Sequence, residues 1–203
     1  MALFTVRPTK LDQLTADFVA GHTDSAVERV AGALTWAGDE HVLAALALGW
    51  WVYCRNKDAV ARRRSDHILL TTVAAAILPH IVKKLVNQER PDRLTVYGHL
   101  HGVPLSGNKY DAFPSGHALH MGALASAATI LPPPQRNSVW AAVSLLVATR
   151  VVLLAHWMSD VVAGLAMGVV LERLMRLVTG YGQVRRVNGA SEHARRPRSR
   201  SNG

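Results

Sequence analysis

The chain has 203 residues, enough for one domain and rarely two, and 49% of them are hydrophobic, yet its mean hydropathy is only +0.11. A single cysteine, Cys54, excludes an intramolecular disulfide and a multi-cysteine zinc site. The formal net charge of +9 suits nucleic acid, an anionic substrate or the cytoplasmic face of a membrane protein, so the positions of the charges must decide.

The N-terminal region, residues 1–40, is predicted to be amphipathic and interfacial. Between residues 10 and 35, apolar side chains recur at helical spacing among several acidic ones, which indicates one or two amphipathic helices. A surface helix of a soluble domain explains this segment equally well. The first residues lack an apolar core of signal-peptide length, so in a membrane protein internal helices would direct insertion.

Five apolar segments follow, and they predict an all-α membrane bundle with about five spanning helices over residues 41–176. The segments are 41–54, 67–83, 117–131, 138–155 and 157–174. Each is near the lower length limit for a span, but five in succession favour a membrane. Aromatic residues cluster at the end of the first segment, as they do at membrane interfaces. Gly164 and Gly168 in the last segment permit close helix contact.

The connectors between these segments differ in character. Residues 55–65 are short and strongly basic, whereas residues 87–114 form a long loop rich in glycine and proline, typical of a functional loop. Residues 177–203 form a basic tail that we expect to be disordered. No aromatic platform or recognised nucleic-acid fold accompanies the tail, so binding to nucleic acid is disfavoured, and the tail either remains solvated or binds anionic lipid.

Three short patterns lie between the second and fifth segments. They are Lys83 with Arg90-Pro91, then Pro114-Ser115-Gly116-His117, and last Arg150 with His156 and Asp160. Each pattern alone has an ordinary explanation: a lysine that reaches the interface, a loop that ends in a helix cap, or a structural histidine. A guanidinium inside an apolar segment is costly, however, so Arg150 is a functional candidate.

The cations and the predicted helix start suit a phosphate group. Lys83, Arg90 and Arg150 supply positive charge, and arginine can bind phosphate oxygens through two hydrogen bonds. Ser115 and Gly116 stand at a helix start, where backbone N–H groups and the helix dipole favour an anion.

Two histidines add the capacity for reaction. His117 and His156 are suited to proton transfer or nucleophilic attack near neutral pH. Asp160 lies four positions after His156 and reaches its ring if the segment is helical. It would then fix the tautomer of that ring.

Together these residues resemble the signature of the type 2 phosphatidic acid phosphatase family, which shares its site with vanadium haloperoxidases. The resemblance runs from residue 83 to residue 160 by motif and to about residue 174 by helical pattern. It implies that His156 attacks phosphorus to form a phosphohistidine, that His117 protonates the leaving lipid oxygen and then activates water, and that Asp160 orients His156. It implies a phosphate held without metal or other cofactor by Lys83, Arg90, Ser115, Gly116 and Arg150.

Two positions depart from the family pattern. Thr149 stands where serine is usual before the arginine, and Asp92-Arg93 follows Arg90-Pro91 where a further proline is frequent. Neither change removes a reacting group. The alternatives are a haloperoxidase that holds vanadate in the same pocket, and a lipid-binding membrane protein that has no activity.

Four other histidines lie near the motifs: His80, His99, His101 and His120. We interpret them as structural or solvent-facing. A metal site is the competing interpretation, but no acidic cluster accompanies them.

The motifs also predict a topology. All three patterns fall at one membrane face, while the 55–65 connector, Arg136 and the tail fall at the other. By the positive-inside rule the basic face is cytoplasmic, so the site faces the periplasm of the inner membrane. We therefore expect a lipid phosphate or diphosphate as substrate, such as undecaprenyl diphosphate or another polyprenyl or glycerolipid phosphate, with membrane lipids as the other partners. The resemblance implies phosphatidate, phosphatidylglycerol phosphate and lipid A as further candidates, and the sequence does not rank them. The sequence does not indicate an oligomeric state.

Overall fold

The computed structural model describes residues 3–91 and 110–182, and in these ranges the chain forms seven α-helices. The helices are α1 Lys10–His22, α2 Ser25–Thr35, α3 Glu40–Cys54, α4 Ala59–Leu85, α5 Gly116–Ala127, α6 Pro133–Val152 and α7 Met158–Thr179. Short 3-10 turns, Trp36–Gly38 and Ala128–Ile130, follow α2 and α5. The expected all-α architecture is confirmed apart from one small parallel pair of strands, β1 Phe4–Thr5 and β2 Val86–Asn87.

Side-chain caps explain where most of these helices begin. Thr9, Asp24, Asp39, Asp58 and Ser115 each precede a helix and accept a hydrogen bond from a backbone N–H of its first turn. Such a cap satisfies one of the N–H groups that the helix itself leaves unpaired. The N-terminal region therefore contains two separate helices, α1 and α2, because Asp24 starts a new one.

The predicted basic connector, residues 55–65, is shorter than the sequence suggested. Asp58 caps α4, which begins at Ala59, so most of the arginines of this segment belong to the first turns of that helix. Arg55 contacts Asp66 at 2.6 Å and lies over the Trp51 ring, which joins the end of α3 to the start of α4. The prediction of a loop was wrong for residues 59–65, because alanine and arginine are good helix formers.

Among the described residues, α4 is the one helix that is long and apolar enough to cross a membrane by length and composition. Most of its apolar residues face outward, as Val73, Ile77 and Ile81 show. The other helices occupy the predicted positions, but α3 and α5, with 15 and 12 residues, are shorter than the roughly 20 residues that a span requires. The number of five spans stays a prediction.

Helices α5 and α7 make the closest contact in the bundle, and glycines permit it. A Cβ atom at Gly168 would overlap the carbonyl oxygen of Leu119, and one at Gly122 would overlap the carbonyl oxygen of Leu165. A Cβ at Gly164 would lie 2.5 Å from the carbonyl oxygen of Ser115. The prediction that the glycines of the last segment permit close packing is confirmed.

A buried polar network joins α4, α5 and α7 at the end of the bundle opposite to the motifs. Glu172 contacts His67 at 3.1 Å, Ser126 at 2.5 Å and Arg176 at 2.6 Å, and His67 stacks on Tyr181. Glu172 and His67 are fully buried, so these contacts compensate for the loss of water around a charge. The network fixes the relative register of the three helices that carry most of the motifs.

The N-terminal helix α1 is tied to the start of α7 through one carboxylate. Asp12 accepts hydrogen bonds of 2.8 Å from the backbone N–H and the hydroxyl of Ser159, and it closes a capping box with Thr9. Burial raises the pKa of Asp12, but the hydrogen bonds from Ser159 and Thr9 outweigh it and hold that pKa below its ordinary value. The contact is therefore a charge-assisted one, next to the site.

Several predicted segments fall partly or wholly outside the described residues. The loop 87–114 is described only at its two ends, and His99, His101, Asp92 and Arg93 lie outside. Helix α7 continues to Thr179, past residue 177, where the tail was predicted to begin. The rest of that tail lies outside the described residues, so the division into 1–40, 41–176 and 177–203 stays a prediction.

We expect Asp12→Ala to lower the free energy of unfolding by roughly 2–3 kcal/mol, because it removes the carboxylate that accepts hydrogen bonds from the backbone N–H and hydroxyl of both Thr9 and Ser159. Since the folded pKa of Asp12 is lowered, the stabilisation is present near neutral pH and is lost as the pH falls through that pKa. Thermal unfolding of the detergent-solubilised protein measures the effect. Asp17→Ala, on the exposed face of the same helix, is the control, and equal loss in both variants would contradict the role of Asp12.

Candidate active site

The three sequence patterns meet at one end of the bundle. Lys83 lies in the last turn of α4, Ser115 caps α5, Arg150 ends α6, and Asp160 lies in the first turn of α7. The backbone N–H of Ser115 donates to the carbonyl oxygen of Asp160 at 3.2 Å, so the starts of α5 and α7 touch directly. The close glycine contact between these two helices permits this arrangement.

His156 lies in the short turn between α6 and α7 and is 4% exposed. Its Nδ1 lies 2.8 Å from the carbonyl oxygen of Ala112, and its backbone N–H donates to the carbonyl oxygen of Arg150 at 3.3 Å. A carbonyl oxygen can only accept, so Nδ1 carries the proton of the neutral ring and Nε2 carries a lone pair. The ring is held in the tautomer that a nucleophile attacking through Nε2 requires.

Asp160 does not hold the His156 ring at hydrogen-bond distance, which departs from the expected role. Its Oδ2 lies 3.9 Å from Nδ1 of His156 and accepts instead from the backbone N–H of Trp157 at 3.0 Å. The reason is that α7 begins at Met158, so His156 precedes the helix and Asp160 becomes its third residue, a capping position. Asp160 therefore fixes the turn that carries His156, while Ala112 fixes the tautomer.

The cations Lys83 and Arg90 meet at an acidic residue that sequence reasoning missed. The Nε and a terminal nitrogen of Arg90 contact Oδ1 of Asp111 at 2.9 and 2.8 Å, and Nζ of Lys83 lies 3.7 Å from Oδ2 of the same carboxylate. Arg90 also donates to the carbonyl oxygen of Ala155, next to His156, at 3.3 Å. Asp111 thus holds two predicted phosphate-binding side chains beside the predicted nucleophile.

Thr35, at the end of α2, contacts two more predicted site residues. Nε2 of His117 donates to the Thr35 carbonyl oxygen at 2.7 Å, and a terminal nitrogen of Arg150 donates to the Thr35 hydroxyl at 2.9 Å. The Nε–H of Arg150 is buried and has no partner among the described residues, so it can donate to a phosphate oxygen. The N-terminal region therefore takes part in the site.

The turn after α2 lies directly against the His117 ring. A Cβ atom at Gly38 would stand 2.8 Å from both Cδ2 and Nε2 of His117, so a larger residue there would displace the ring. No local pattern around Thr35 or Gly38 signals this contact, because they are some 80 positions from His117 in the chain.

Burial lowers the pKa of His156 well below its ordinary value, and the positive charges of Arg90, Arg150 and Lys83 lower it further. The hydrogen bond to Ala112 acts in the opposite direction but does not outweigh them. The ring is consequently neutral at physiological pH. A neutral imidazole among cations can attack an electrophile, whereas a protonated one cannot.

The start of α5 offers the anion-binding geometry that the sequence predicted. Ser115 is fully buried, and its hydroxyl accepts from the backbone N–H of Ala118 at 3.4 Å. Gly116 and His117 form the first turn, where backbone N–H groups lack helical partners and the helix dipole is positive. These two N–H groups can donate hydrogen bonds to a phosphate oxygen.

The histidines that we interpreted as structural fit that role where they are described. His80 is exposed on α4, and its Nδ1 donates to the carbonyl oxygen of Ala76 at 2.8 Å. His120 is buried one turn beyond His117 and donates to the carbonyl oxygen of Gly116. Within residues 3–91 and 110–182, no group of three or more His, Cys, Asp and Glu side chains is placed to hold a metal ion.

Two solved bacterial structures resemble this chain in fold. LpxE of Aquifex aeolicus superposes with a TM-score of 0.62 at 16% identity, over 82% of this chain and 95% of that one. The transmembrane PAP2-type phosphatidylglycerolphosphate phosphatase of Bacillus subtilis gives a TM-score of 0.58 at 19% identity, over 81% and 82%. At these identities the likeness shows a shared fold.

Similarity to characterised sequences is higher. Over 113 residues the chain is 35% identical to a lipid A 1-phosphatase of Rhizobium johnstonii, covering 55% of this chain and 46% of that protein, so it spans about half the length of this relative. Over 179 residues it is 31% identical to a lipid A 1-phosphatase of Rhizobium etli, covering 81% of this chain and 77% of that protein.

The family model of the PAP2 superfamily matches residues 67–182, which is more than half of the chain and contains every predicted site residue. This match confirms the resemblance and the enzyme class that the motifs implied, phosphoric ester hydrolysis. Together with the similarity to the Rhizobium etli protein over most of both chains, it shows that the chain belongs to the PAP2 superfamily of membrane lipid phosphatases.

Proposed function

We propose that this protein hydrolyses the phosphate of a lipid at the extracytoplasmic membrane face, through a phosphohistidine formed on His156. The proposal rests on the protonation state and the tautomer of the His156 ring. His156 is buried and neutral, its Nδ1 is committed to Ala112, and the cations around it leave Nε2 as the free nucleophilic atom.

The reaction consists of two displacements at phosphorus. Nε2 of His156 forms a bond to phosphorus while the bond from phosphorus to the lipid oxygen breaks, and His117, as a doubly protonated imidazolium ion, gives its Nε2 proton to that oxygen and becomes neutral. His117 then accepts a proton from a water molecule that attacks phosphorus. The bond to His156 breaks, inorganic phosphate leaves, and His117 regains the proton it had donated. Arg90, Arg150 and the start of α5 stabilise the charge on the phosphoryl oxygens in both steps.

His117 carries a proton on Nε2, the atom that acts in the first step, but in the structure this N–H donates to Thr35. Its Nε2–H donates to the carbonyl oxygen of Thr35 at 2.7 Å, so this nitrogen carries a proton. The ring can give that proton up once Nδ1 is protonated as well, which the negative charge of a bound phosphate group favours. Transfer requires that the lipid oxygen replace the Thr35 carbonyl. Arg150 is held by the same residue, so one movement of Thr35 would release both side chains to the substrate.

For the substrate, the relatives favour the 1-phosphate of lipid A. Both characterised relatives are named lipid A 1-phosphatases, and one of them aligns with 81% of this chain. Undecaprenyl diphosphate, which we expected from the sequence, is the second lipid to test, because a site that faces the periplasm would meet it during envelope synthesis. No observation favours a haloperoxidase, since the relatives described above are phosphatases.

The charge distribution supports an outward-facing site. The site residues lie where α4 and α6 end and where α5 and α7 begin. The opposite end carries the arginines at the start of α4 and Arg136 near the start of α6. Positive charge concentrated at one end of membrane helices marks the cytoplasmic side.

We expect His156→Ala to lower phosphate release from its lipid substrate by about three orders of magnitude or more, because the attacking atom is lost. The assay uses the purified membrane protein with lipid A, undecaprenyl diphosphate, phosphatidylglycerol phosphate and phosphatidate, each with and without a chelator. His80→Ala removes an exposed histidine of α4 and is the control. Substantial turnover by His156→Ala would refute the nucleophile, and release from none of the lipids would refute the proposed function.

The lowered pKa of His156 predicts that its ring stays neutral as the pH falls through about 6.5, the ordinary histidine value. A lowered pKa means that the ring binds its proton only in more acidic solution, so the nucleophile remains competent there. Nitrogen NMR of histidine side chains in lipid nanodiscs measures this, with the signal assigned by its absence in His156→Gln. Titration of that signal at or above 6.5 would contradict the proposed electrostatics.

The proposed orientation predicts which positions a membrane-impermeant maleimide reaches in spheroplasts. With Cys54→Ala as background, Tyr110→Cys near the site should react in intact spheroplasts, because Tyr110 is 50% exposed beside Asp111. Lys57→Cys, at the opposite end, should react only after lysis. The reverse pattern would place the site in the cytoplasm.

A further inference from the structure

A basic cavity of about 510 Å³ lies at the end of the bundle opposite to the active site. Its walls come from the first turns of α4, from the segment that joins the end of α5 to the start of α6, and from the residues that follow α7. The volume is within the range of roughly 300–1,000 Å³ that is typical of ligand pockets. None of the proposed reacting groups lines this cavity, so it is a separate candidate site.

Two guanidinium groups line the cavity without a counter-charge. The side chains of Arg63 and Arg64 are exposed, and neither forms a hydrogen bond or an ion pair within residues 3–91 and 110–182. The amide of Gln135 lines the same cavity and can donate as well. The described lining residues include no Asp or Glu. Two arginines and an amide without a carboxylate suit an anion that has several oxygen atoms, above all a phosphate group.

The start of α6 adds to the positive potential beside these arginines. The first two residues of this helix, Pro133 and Pro134, have no backbone N–H, so the first N–H of the helix belongs to Gln135. That N–H lies in the first turn and therefore has no partner within the helix. The positive end of the helix dipole lies at the same place.

Aromatic residues indicate that the cavity lies near the level of lipid headgroups. Trp51 and Tyr53 lie at the end of α3, and Trp140 is 43% exposed on α6, with the Arg136 guanidinium 5.1 Å from its ring centroid. Tryptophan and tyrosine are enriched where the headgroups of a membrane meet the acyl chains. Basic pockets between membrane helices at this level suit the headgroups of anionic lipids.

A second cavity, of about 670 Å³, continues from the basic one along the outer face of α7. The two cavities share Ile130, Tyr181 and Gly182. The second cavity is lined by apolar side chains of α7, of which Val170 is 58% and Leu177 75% exposed. A soluble phosphate ester would contact only the basic cavity, whereas a phospholipid would also cover this apolar surface. The combination favours a phospholipid.

The sequence of the C-terminal tail argues against the tail itself as the occupant. Residues 183–203 contain six arginines and one glutamate. This segment has the same sign of charge as the cavity, and like charges disfavour its binding there. An anionic ligand would instead be attracted.

We propose that the cavity at Arg63 and Arg64 binds the headgroup of an anionic phospholipid, in the leaflet opposite to the active site, and that this lipid stabilises the bundle. Tyr181 forms part of the wall, its ring stacks on His67 with centroids 4.0 Å apart, and its hydroxyl donates to the carbonyl oxygen of Ala127 at 3.3 Å. His67 contacts Glu172 in the buried network that joins α4, α5 and α7. A lipid bound against Tyr181 would therefore hold that network closed.

Thermal unfolding of the detergent-solubilised protein tests the proposal. Dioctanoyl phosphatidylglycerol is added at increasing concentration, and dioctanoyl phosphatidylcholine and glycerol 3-phosphate are added in parallel. We expect phosphatidylglycerol to raise the Tm by about 5 °C at saturation, because a ligand that binds only the folded state stabilises it. The other two compounds should change the Tm little, since one lacks the net negative charge and the other lacks the acyl chains.

The variant Arg63→Gln/Arg64→Gln should lose most of this rise, and each single change should reduce it by about half. The matched control is Lys57→Gln/Arg62→Gln, which removes the same charge from the same end of the bundle. Both of its residues are exposed and do not line the cavity, so the control should keep the rise. A Tm close to that of the unmodified protein in the absence of lipid shows that a variant is folded.

A rise that is lost in Arg63→Gln/Arg64→Gln and kept in Lys57→Gln/Arg62→Gln would support the inference. No rise in the unmodified protein, an equal rise with phosphatidylcholine, or an equal rise in both double variants would overturn it. An equal rise with glycerol 3-phosphate would assign the cavity to a soluble phosphate ester and would overturn the lipid as its occupant. These measurements do not involve catalysis, so their failure would leave the proposed function unchanged.

Discussion

The contact between α5 and α7 is the constraint on which the site depends. Glycines at positions 122, 164 and 168 remove the side chains that would separate the two backbones. The two helix starts can then touch, with Ser115 donating to the backbone of Asp160. This places the anion-binding start of α5 beside the turn that carries His156. A methyl group at Gly168 would push the helices apart and widen the distance between the phosphate-binding and the attacking groups.

The charge state of the site results from the burial of the His156 ring among positively charged side chains. Burial and three surrounding cations keep the His156 ring neutral, and in the proposed reaction the same cations would attract the phosphoryl group. Asp111 prevents these cations from simply repelling one another, since it contacts both Lys83 and Arg90. Within residues 3–91 and 110–182, no anion lies at hydrogen-bond distance from Arg150, which donates to the Thr35 hydroxyl instead. Of the cations Lys83, Arg90 and Arg150, Arg150 is therefore the one whose existing contacts least oppose the binding of a phosphate group.

The sequence was sufficient to predict features that depend on local or periodic patterns. It was not sufficient to predict contacts between residues that are far apart in the chain. Apolar periodicity located the helices, and motif spacing located the cations and both histidines. The sequence did not reveal that the carbonyl oxygen of Ala112 is the partner of His156, because a backbone carbonyl has no sequence signature. Thr35 lies 115 positions from Arg150, so no spacing rule connects them. Asp111 could have been identified from the sequence, since it is an acidic residue four positions before Ser115 at the predicted helix start and therefore a candidate partner for the cations. The role expected for Asp160 depended on a helix that includes His156, and the sequence could not show that α7 starts two residues later.

The attachment of α1 and α2 to the site has a consequence for how the protein is divided. The family match begins at residue 67, yet Asp12 holds the first turn of α7, and Thr35 holds His117 and Arg150. A fragment limited to the family match, residues 67–182, would contain every proposed reacting group but would lack the two helices that help to position them. The first two helices thus hold the proposed catalytic residues in position. Substitutions in these helices would therefore lower activity although every reacting group is still present.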